Sequence, residues 1–507
     1  MTGAWATWHS ALRPNLQIVA RLAITALLLN GSVDASAPPT LEWVRQFGHS
    51  PVQSDARVQG TGVTLDQEQN VYVTGLLGHT TVQISPDSFV AKFDPTGNLV
   101  WTQDIAEPND RFTNSEDIAV DPDGNVIVTG FTTGNLAAPS AGFGDIFLRK
   151  YDPAGHIVWT QQLGDTQYDF SHALDIDRHG NIFITGTSSL GVESEQNGAY
   201  LAKFDPAGNL AWIRTPELNW TSYDLALDAD SNIYMTGAFV VLNSAAPYGV
   251  TEQAFLIKYD LLGNLVWTRE LGDFESDEVS SGVGVDQAGN VFIAGFTTGD
   301  LAQPNAAGEG EPVSIYQRDV FVAKFDSNGE RVWVQQFGRA HEDVMGGLSV
   351  DGHGNVYVTG SMDQTIGGAN PTRRDVFLTR LDNATGEIQW IEQYGTANSD
   401  SGAALFADHF GNVLITGSTS GALAISSGGA IDAFLLKYTA VPEPASIVLL
   451  AFAAASFLLA VDRRNRRVAS VRLSVSGLRS STKSSYSTEK APPNYGEFGR
   501  PRANNSR

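Results

Sequence analysis

Ten aspartates recur in step along this chain, and their spacing is what could do chemistry. Asp87, Asp145, Asp319, Asp375 and Asp432 each open a short β-type run, and Asp55, Asp169, Asp277, Asp343 and Asp400 lie in connections that precede another. Paired carboxylates can do general acid–base work on a sugar. Carboxylates gathered at one rim can take Ca²⁺ through oxygen ligands. The third use is structural: each accepts backbone N–H groups or pairs with its own unit's Lys, such as Lys92, Lys150 or Lys324. Recurrence favours the structural use, because a single active site needs no seven copies. The chain thus offers Asp87, Asp145, Asp319, Asp375, Asp432, Asp169, Asp277 and Asp343 as ligand-binding candidates on one face. It names no catalytic residue, implies no cofactor, and leaves Ca²⁺ as the one metal to test.

Other chemistries fit poorly. The chain has no Cys, which removes disulfides, thiolate metal sites and Cys nucleophiles. His341-Glu-Asp343 lacks a second His at helical spacing, and no Gly-x-Ser-x-Gly or phosphate-binding loop occurs. Asp121-Pro-Asp-Gly-Asn125 resembles the start of a calcium loop but has no Glu at the twelfth position and falls on a hairpin. Between Pro38 and Ala440 there are 19 Lys and Arg against 51 Asp and Glu, a net charge of −32. Such a surface repels nucleic acid. It also keeps a β-rich protein soluble.

The elements that hold these residues repeat seven times. A b strand reads Asn70-Val-Tyr-Val-Thr-Gly75 and recurs from Asn125, Asn181, Asn232, Asn290, Asn355 and Asn412, at intervals of 51 to 65 residues. An Asp precedes each Asn by four, and Gly precedes it in five of the seven units. That is a tight a–b hairpin: Asp bonds its own turn backbone and Gly takes the positive φ. Strand c, such as Asp87-Ser-Phe-Val-Ala-Lys-Phe-Asp94, leads through a Pro-x-Gly turn into a strand d that carries a Trp. The d-strand Trp residues are Trp101, Trp159, Trp212, Trp267, Trp333 and Trp390, and they read as packing residues. The seventh, Trp43, lies in a lone d-type segment at 41–48, while the last unit ends after strand c. A ring sewn from both chain ends needs this offset. The predicted fold is all-β, a seven-bladed propeller of four-stranded antiparallel blades closed by residues 41–48 joining the C-terminal blade.

The Gly-Asn-Val-Tyr-Val-Thr-Gly, Asp-x-Phe-Val-x-Lys-Phe-Asp and Gly-Asn-x-x-Trp runs closely resemble the bacterial seven-bladed β-propeller (SBBP) repeat family over about 400 of the 507 residues. The resemblance implies the fold and no common reaction.

The chain ends suggest export. Residues 1–37 read as a signal peptide, with Arg13 and Arg21, an apolar run Leu22–Leu29 and Ala35-Ser-Ala37. After the propeller (38–440), residues 441–467 combine Pro442-Glu443-Pro444, an uncharged run of 17 residues at 445–461 and a cluster holding Arg463, Arg464, Arg466 and Arg467. That run predicts one C-terminal transmembrane helix, with the basic cluster on the cytoplasmic side. The triplet resembles the PEP-CTERM sorting signal. The resemblance implies processing by an exosortase-type membrane enzyme and association with the cell envelope or an extracellular polysaccharide matrix. Residues 468–507, which follow the Arg cluster where such chains usually end, read as a disordered basic tail.

Alternation of strand direction puts a–b and c–d turns on one face and b–c and d–a connections on the other. The b–c loops are long and variable (76–86, 131–144, 187–198, 238–253, 296–318, 361–374, 418–431), so binding is expected on that face, above all at 296–318. The reading is a monomeric, exported, envelope-associated, non-enzymatic scaffold that binds a polysaccharide or surface protein. The alternatives are a carboxylate-dependent polysaccharide lyase or hydrolase, or a calcium-dependent adhesin.

Overall fold

Folding of each unit is legible first at its a–b hairpin. Asp66 Oδ1 accepts the N–H of Asn70 at 2.8 Å, and its Oδ2 accepts Asn70 Nδ2 at 2.7 Å. The other six units repeat this clamp with Asp121, Asp177, Asp228, Asp286, Asp351 and Asp408. The residue before each Asn has positive φ. It is Gly in five units, and Gln69 (65°) and Ser231 (61°) adopt the same conformation in the other two.

The computed structural model describes residues 38–439 apart from 49–55, 80–86, 106–111, 191–197, 217–219, 245, 247–248, 273–274, 303–317, 339–342, 364–373 and 425–430. Within them, seven four-stranded antiparallel sheets are formed. Blade 1 comprises Ala56–Leu65, Val71–His79, Asp87–Phe93 and Leu99–Ile105 as strands a to d. Blades 2 to 6 follow in order, with innermost a strands Thr113–Val120, Phe170–Ile176, Trp220–Leu227, Glu278–Val285 and Val344–Val350. Blade 7 has Asp400–Ala407, Val413–Thr419 and Asp432–Thr439 as a, b and c. Its d strand is Thr40–Phe47, antiparallel to Asp432–Thr439, with Gln46 opposite Phe434 and Trp43 opposite Lys437. The ring closes as the offset of the repeat requires.

Burial follows from this arrangement. Strand b and strand c are covered on both faces and carry near-continuous apolar runs, such as Val126–Gly130 and Asp319–Phe325. Seven apolar clusters lie one at each junction between neighbouring blades. The closing cluster joins Val58, Val63 and Val71 of blade 1 to Leu414, Ala433 and Leu435 of blade 7, with Trp43 and Phe47 against it. No blade buries its faces alone, so the wheel is the cooperative unit.

The d-strand Trp residues fasten neighbours. Trp43, Trp101 and Trp333 donate Nε1–H to carbonyls of the next blade's c–d turn, at Pro95, Pro153 and Asn383. A β-carbon on Gly155 or Gly208 of those turns would lie within about 3 Å of the indole of Trp101 or Trp159. The strand-c Lys residues do not pair with the Asp that opens their own strand. Lys150 meets Asp121 at 2.7 Å and Lys92 meets Asp66 at 3.7 Å, both in a–b turns. The reason is position: the strand places its opening Asp and its Lys at opposite ends.

No helix among the described residues is long and apolar enough to cross a membrane. The expected signal peptide (1–37), the segment 441–467 and the tail 468–507 lie outside the described residues, as do Asp55 and most of loop 296–318.

Candidate functional site

The aspartates that open strand c act on the b–c loops. Asp145, Asp319 and Asp432 are buried, and each accepts the side-chain N–H of a strand-d Gln: Gln162 at 2.7 Å, Gln336 at 2.9 Å and Gln46 at 2.8 Å. The same Gln nitrogens also reach the carbonyls of Gly134, Gly299 and Gly421. Their Oε1 atoms accept N–H groups from Ala137 and Ala138, Leu301 and Ala302, and Leu423 and Ala424. Each Asp–Gln pair therefore pins the first turn of its loop. In blade 6 Gln393 pairs with Phe377, the register that Gln162 keeps with Phe147, two residues past the opening Asp375. Blade 1 departs, since Asp104 stands where the Gln would be beside Asp87. A Gly ends these d strands because the carboxylate lies directly over it. A β-carbon on Gly48, Gly164, Gly338 or Gly395 would sit 2.0–2.2 Å from the Oδ1 of Asp432, Asp145, Asp319 or Asp375.

The second set closes the d–a connections. Asp169 accepts Ser188 Oγ–H at 2.5 Å and the N–H of Asp165 at 2.8 Å. Burial pushes its carboxyl up to about 6, with Asp165 and Asp145 adding to the effect. Asp400 accepts the N–H and hydroxyl of Thr396, and it too is raised by burial. Asp343 is buried, and its N–H donates to Arg318 O. Asp277 does not take the corresponding place in blade 5. Glu278 does, accepting Thr297 Oγ–H at 2.8 Å and Ser276 Oγ–H at 2.6 Å, while Asp277 accepts the N–H of Glu252. The recurring acids are thus distributed around the ring in the pinning of loops, and the fold does not gather them into one centre. Among the described residues, no group of three or more His, Asp or Glu is placed to hold a metal ion.

What the repeat does not dictate lies in the channel. Every a strand carries a register break, two or three residues in for blades 2 to 7 and five residues in for blade 1. A bulge re-aims the extra side chain, and the seven extra residues are Thr61, Glu116, His172, Tyr223, Ser281, Gly346 and Ala403. All seven line the central channel, a cavity of about 560 Å³. Strand a enters from the d–a side, so these residues stand toward the b–c/d–a face. Blades 2, 3 and 4 supply an acid, an imidazole and a phenol, and blades 5 to 7 supply only a hydroxyl and two small residues.

Below the bulges, Asp117, Asp175 and Asp224 buckle these same blades together. Each accepts its following N–H through Oδ1 and an N–H of the next blade through Oδ2: Leu174 at 2.8 Å, Leu227 at 2.9 Å and Val283 at 2.7 Å. Burial raises Asp117 and Asp175 to about 6 and Asp224 well above the usual carboxylate range; the Asp175 charge adds to the rise of Asp117, Asp177 to that of Asp175, and Asp117 and Asp175 to that of Asp224. Glu116, which accepts Asn114 Nδ2–H at 2.5 Å, is pushed by burial to about 7. Burial lowers His172 to about 4, so its imidazole is neutral at pH 7. Burial raises the Tyr223 phenol, with the Glu252 charge adding to it. Sequence reasoning missed this set. The available signal was the residue following Ser115, Ser171, Ser222 and Ser280, which is Glu, His, Tyr and Ser in turn behind a recurring Ser.

The fold and this channel define a seven-bladed β-propeller with an asymmetric axial cavity. The Beta-propeller repeat family model (SBBP) matches residues 42–76, 158–189, 266–302 and 332–361, each stretch beginning at a strand d. Two curated proteins are similar. The uncharacterized WD repeat-containing protein L264 of Acanthamoeba polyphaga mimivirus is 22% identical over 449 residues, covering 66% of this chain and 32% of that protein. The regulatory protein FlaEY of Caulobacter vibrioides is 23% identical over 402 residues, covering 67% and 41%. The chain thus spans about a third of the one relative and about two fifths of the other. Among solved structures, a streptogramin B lyase aligns with TM-score 0.44 at 12% identity, covering 78% of this chain and 97% of that one. The polysaccharide lyase Uly1 aligns with TM-score 0.46 at 12% identity, covering 75% and 90%.

Proposed function

We propose that this propeller is an exported, envelope-associated binding scaffold that holds its ligand on the b–c/d–a face without turning it over. The observation that carries the reading is the fate of the repeated acids: Asp145, Asp169, Asp319 and Asp432 each commit a carboxylate oxygen to the loops and connections of that face. A scaffold that invests its acids in holding loops still is suited to presenting a surface. Export by residues 1–37, retention through an apolar helix at 445–461 and processing at Pro442-Glu443-Pro444 by an exosortase-type enzyme complete the proposal, and they rest on the sequence motifs.

The test is incubation of the purified protein with neutral, amine-bearing and acidic polysaccharides, with and without calcium, measuring both retention and chain cleavage. Retention without new chain ends is expected. Turnover that one carboxylate replacement abolishes, with the fold intact, would sink the reading.

One observation favours the enzymatic alternative. Glu116 holds a proton up to about pH 7 and shares the channel with the neutral imidazole of His172. An acid poised near the working pH suits general acid catalysis on a sugar. Cleavage lost in Glu116→Gln would identify that reading as correct.

A further inference from the structure

Two large aromatic side chains stand in the open on the b–c/d–a face: Phe143 is 61% exposed and Tyr168 is 47% exposed. Phe143 belongs to the b–c loop of blade 2, and Tyr168 to the connection from blade 2 to blade 3. Their rings stack with centroids 5.2 Å apart and planes 23° apart. The stack continues inward: Tyr168 lies 5.6 Å from Phe170, Phe170 lies 6.2 Å from His172, and His172 lies 5.7 Å from Tyr223. A row of rings therefore runs from the outer surface to the wall of the channel.

The platform is stiff. Gly144 and Tyr168 form a parallel bridge, and Asp169 N–H donates to Gly144 O at 2.8 Å. A β-carbon on Gly142 would fall 2.1 Å from Asp165 O, so the two segments touch backbone to backbone. The Asp145–Gln162 pair holds the start of the loop. Ordering such a surface costs little at the moment of binding.

From this juxtaposition we infer that Phe143 and Tyr168 form a stacking subsite for a pyranose ring of a polysaccharide without acidic groups, neutral or amine-bearing, whose chain continues toward the channel. The inference deepens the binding reading proposed above and rests on it. A hexopyranose presents a face of C–H groups, which the negative faces of aromatic rings attract. The charge selects the class. Between residues 38 and 440 the net charge is −32. A polyuronate or sulfated chain would be repelled by that charge, and a neutral or cationic one would not.

Affinity electrophoresis of the full-length protein, in gels containing a neutral β-glucan, a chitosan oligomer mixture or an alginate, tests this. Wild-type protein should be retarded by the glucan or the chitosan and not by the alginate. Phe143→Ala and Tyr168→Ala should each weaken retention by about tenfold without changing the melting temperature. Tyr168→Phe should keep it. Retention unchanged in both alanine variants overturns the subsite while leaving the scaffold reading standing, since binding then lies elsewhere on the face. Alginate as the preferred ligand overturns the assigned class. Sedimentation that shows a dimer dissolved by Phe143→Ala overturns it as well, because the rings would then be a self-interface. Cleavage of the retained polymer would overturn the scaffold reading alone.

Discussion

Gln46 donates its side-chain N–H to Asp432 Oδ2 at 2.8 Å, although 386 residues separate them. The same bond occurs within single blades between Gln162 and Asp145, and between Gln336 and Asp319. In the closing blade it joins the two ends of the propeller chain. Gln46→Ala removes four hydrogen bonds and leaves Asp432 buried without its amide partner. A loss of about 2–4 kcal/mol is expected in denaturant unfolding. Deleting residues 40–48 should cost more, because the closing cluster loses Trp43 and Phe47 as well. A deletion variant with wild-type melting behaviour would show that the ring does not depend on this strand.

Gln69 and Ser231 occupy the left-handed turn position that Gly fills in the other five a–b hairpins. A side chain there costs about 1–2 kcal/mol, partly offset by the greater unfolded-state freedom of Gly. Gln69→Gly and Ser231→Gly should each stabilise the protein by about 0.5–1 kcal/mol, and Gly124→Ala should destabilise it. Chemical melts of the three variants decide this. Equal stability of all three would mean that the turn conformation carries no strain.

The channel acids set a pH dependence with a definite sign. The folded state holds Asp117 and Asp175 up to about 6 and Glu116 up to about 7, above their unfolded values near 4. Between pH 4 and 7 these three acids bind more protons in the folded protein than in the unfolded chain, while His172, lowered to about 4, binds fewer up to about pH 6.5; three raised groups outweigh one lowered group, so stability falls as pH rises. The contribution is fully present below the unfolded pKa and is lost through the folded one. Asp94, held near 2 by the hydrogen bonds of its turn, works in the opposite direction and only below about pH 4. The melting temperature should therefore be higher near pH 4.5 than at pH 7.5. Glu116→Gln, which keeps the acceptor for Asn114, should raise the value at pH 7.5 and flatten the profile. A wild-type profile that rises toward neutral pH would contradict the assignment.

The parts of this molecule that the sequence makes legible are those set by local rules. Asp-x-x-Gly-Asn fixes the a–b turn, a Trp marks strand d, and the orphan strand at 41–48 announces closure. The eight candidate aspartates could be placed on a face and given a structural task, but their partners could not be named, because those sit on another strand or connection. A cue existed: Gln46, Gln162, Gln336 and Gln393 each follow the strand-d Trp by three residues. Asp277 was misplaced by spacing. It follows Gly272 by five residues, as Asp343 follows Gly338, but the connection into blade 5 is one residue longer and Glu278 takes the position. Glu116, His172 and Tyr223 escaped for a different reason. A bulge adds one residue, so strand alternation cannot say which side chain turns to the channel.

Loop pinning should be readable by protease. Phe143 and Tyr168 are exposed aromatic residues, the preferred sites of chymotrypsin, yet a protease needs a segment that can unfold locally. In the wild type, Gln162 ties Gly134, Ala137 and Ala138 to Asp145, and Ala141 N–H also donates to that carboxylate. Gln162→Ala frees the first turn of the loop and leaves the junction clusters untouched, since no cluster contains Gln162. Cleavage after Phe143 should accelerate by about tenfold or more, in keeping with a loss of at least 1.4 kcal/mol of local stability. The ring should stay folded, with the two fragments co-migrating in native gels. Global unfolding as the first event would mean that the Asp–Gln pair supports the blade and not the loop, and the stiffness ascribed to the aromatic platform would need another source.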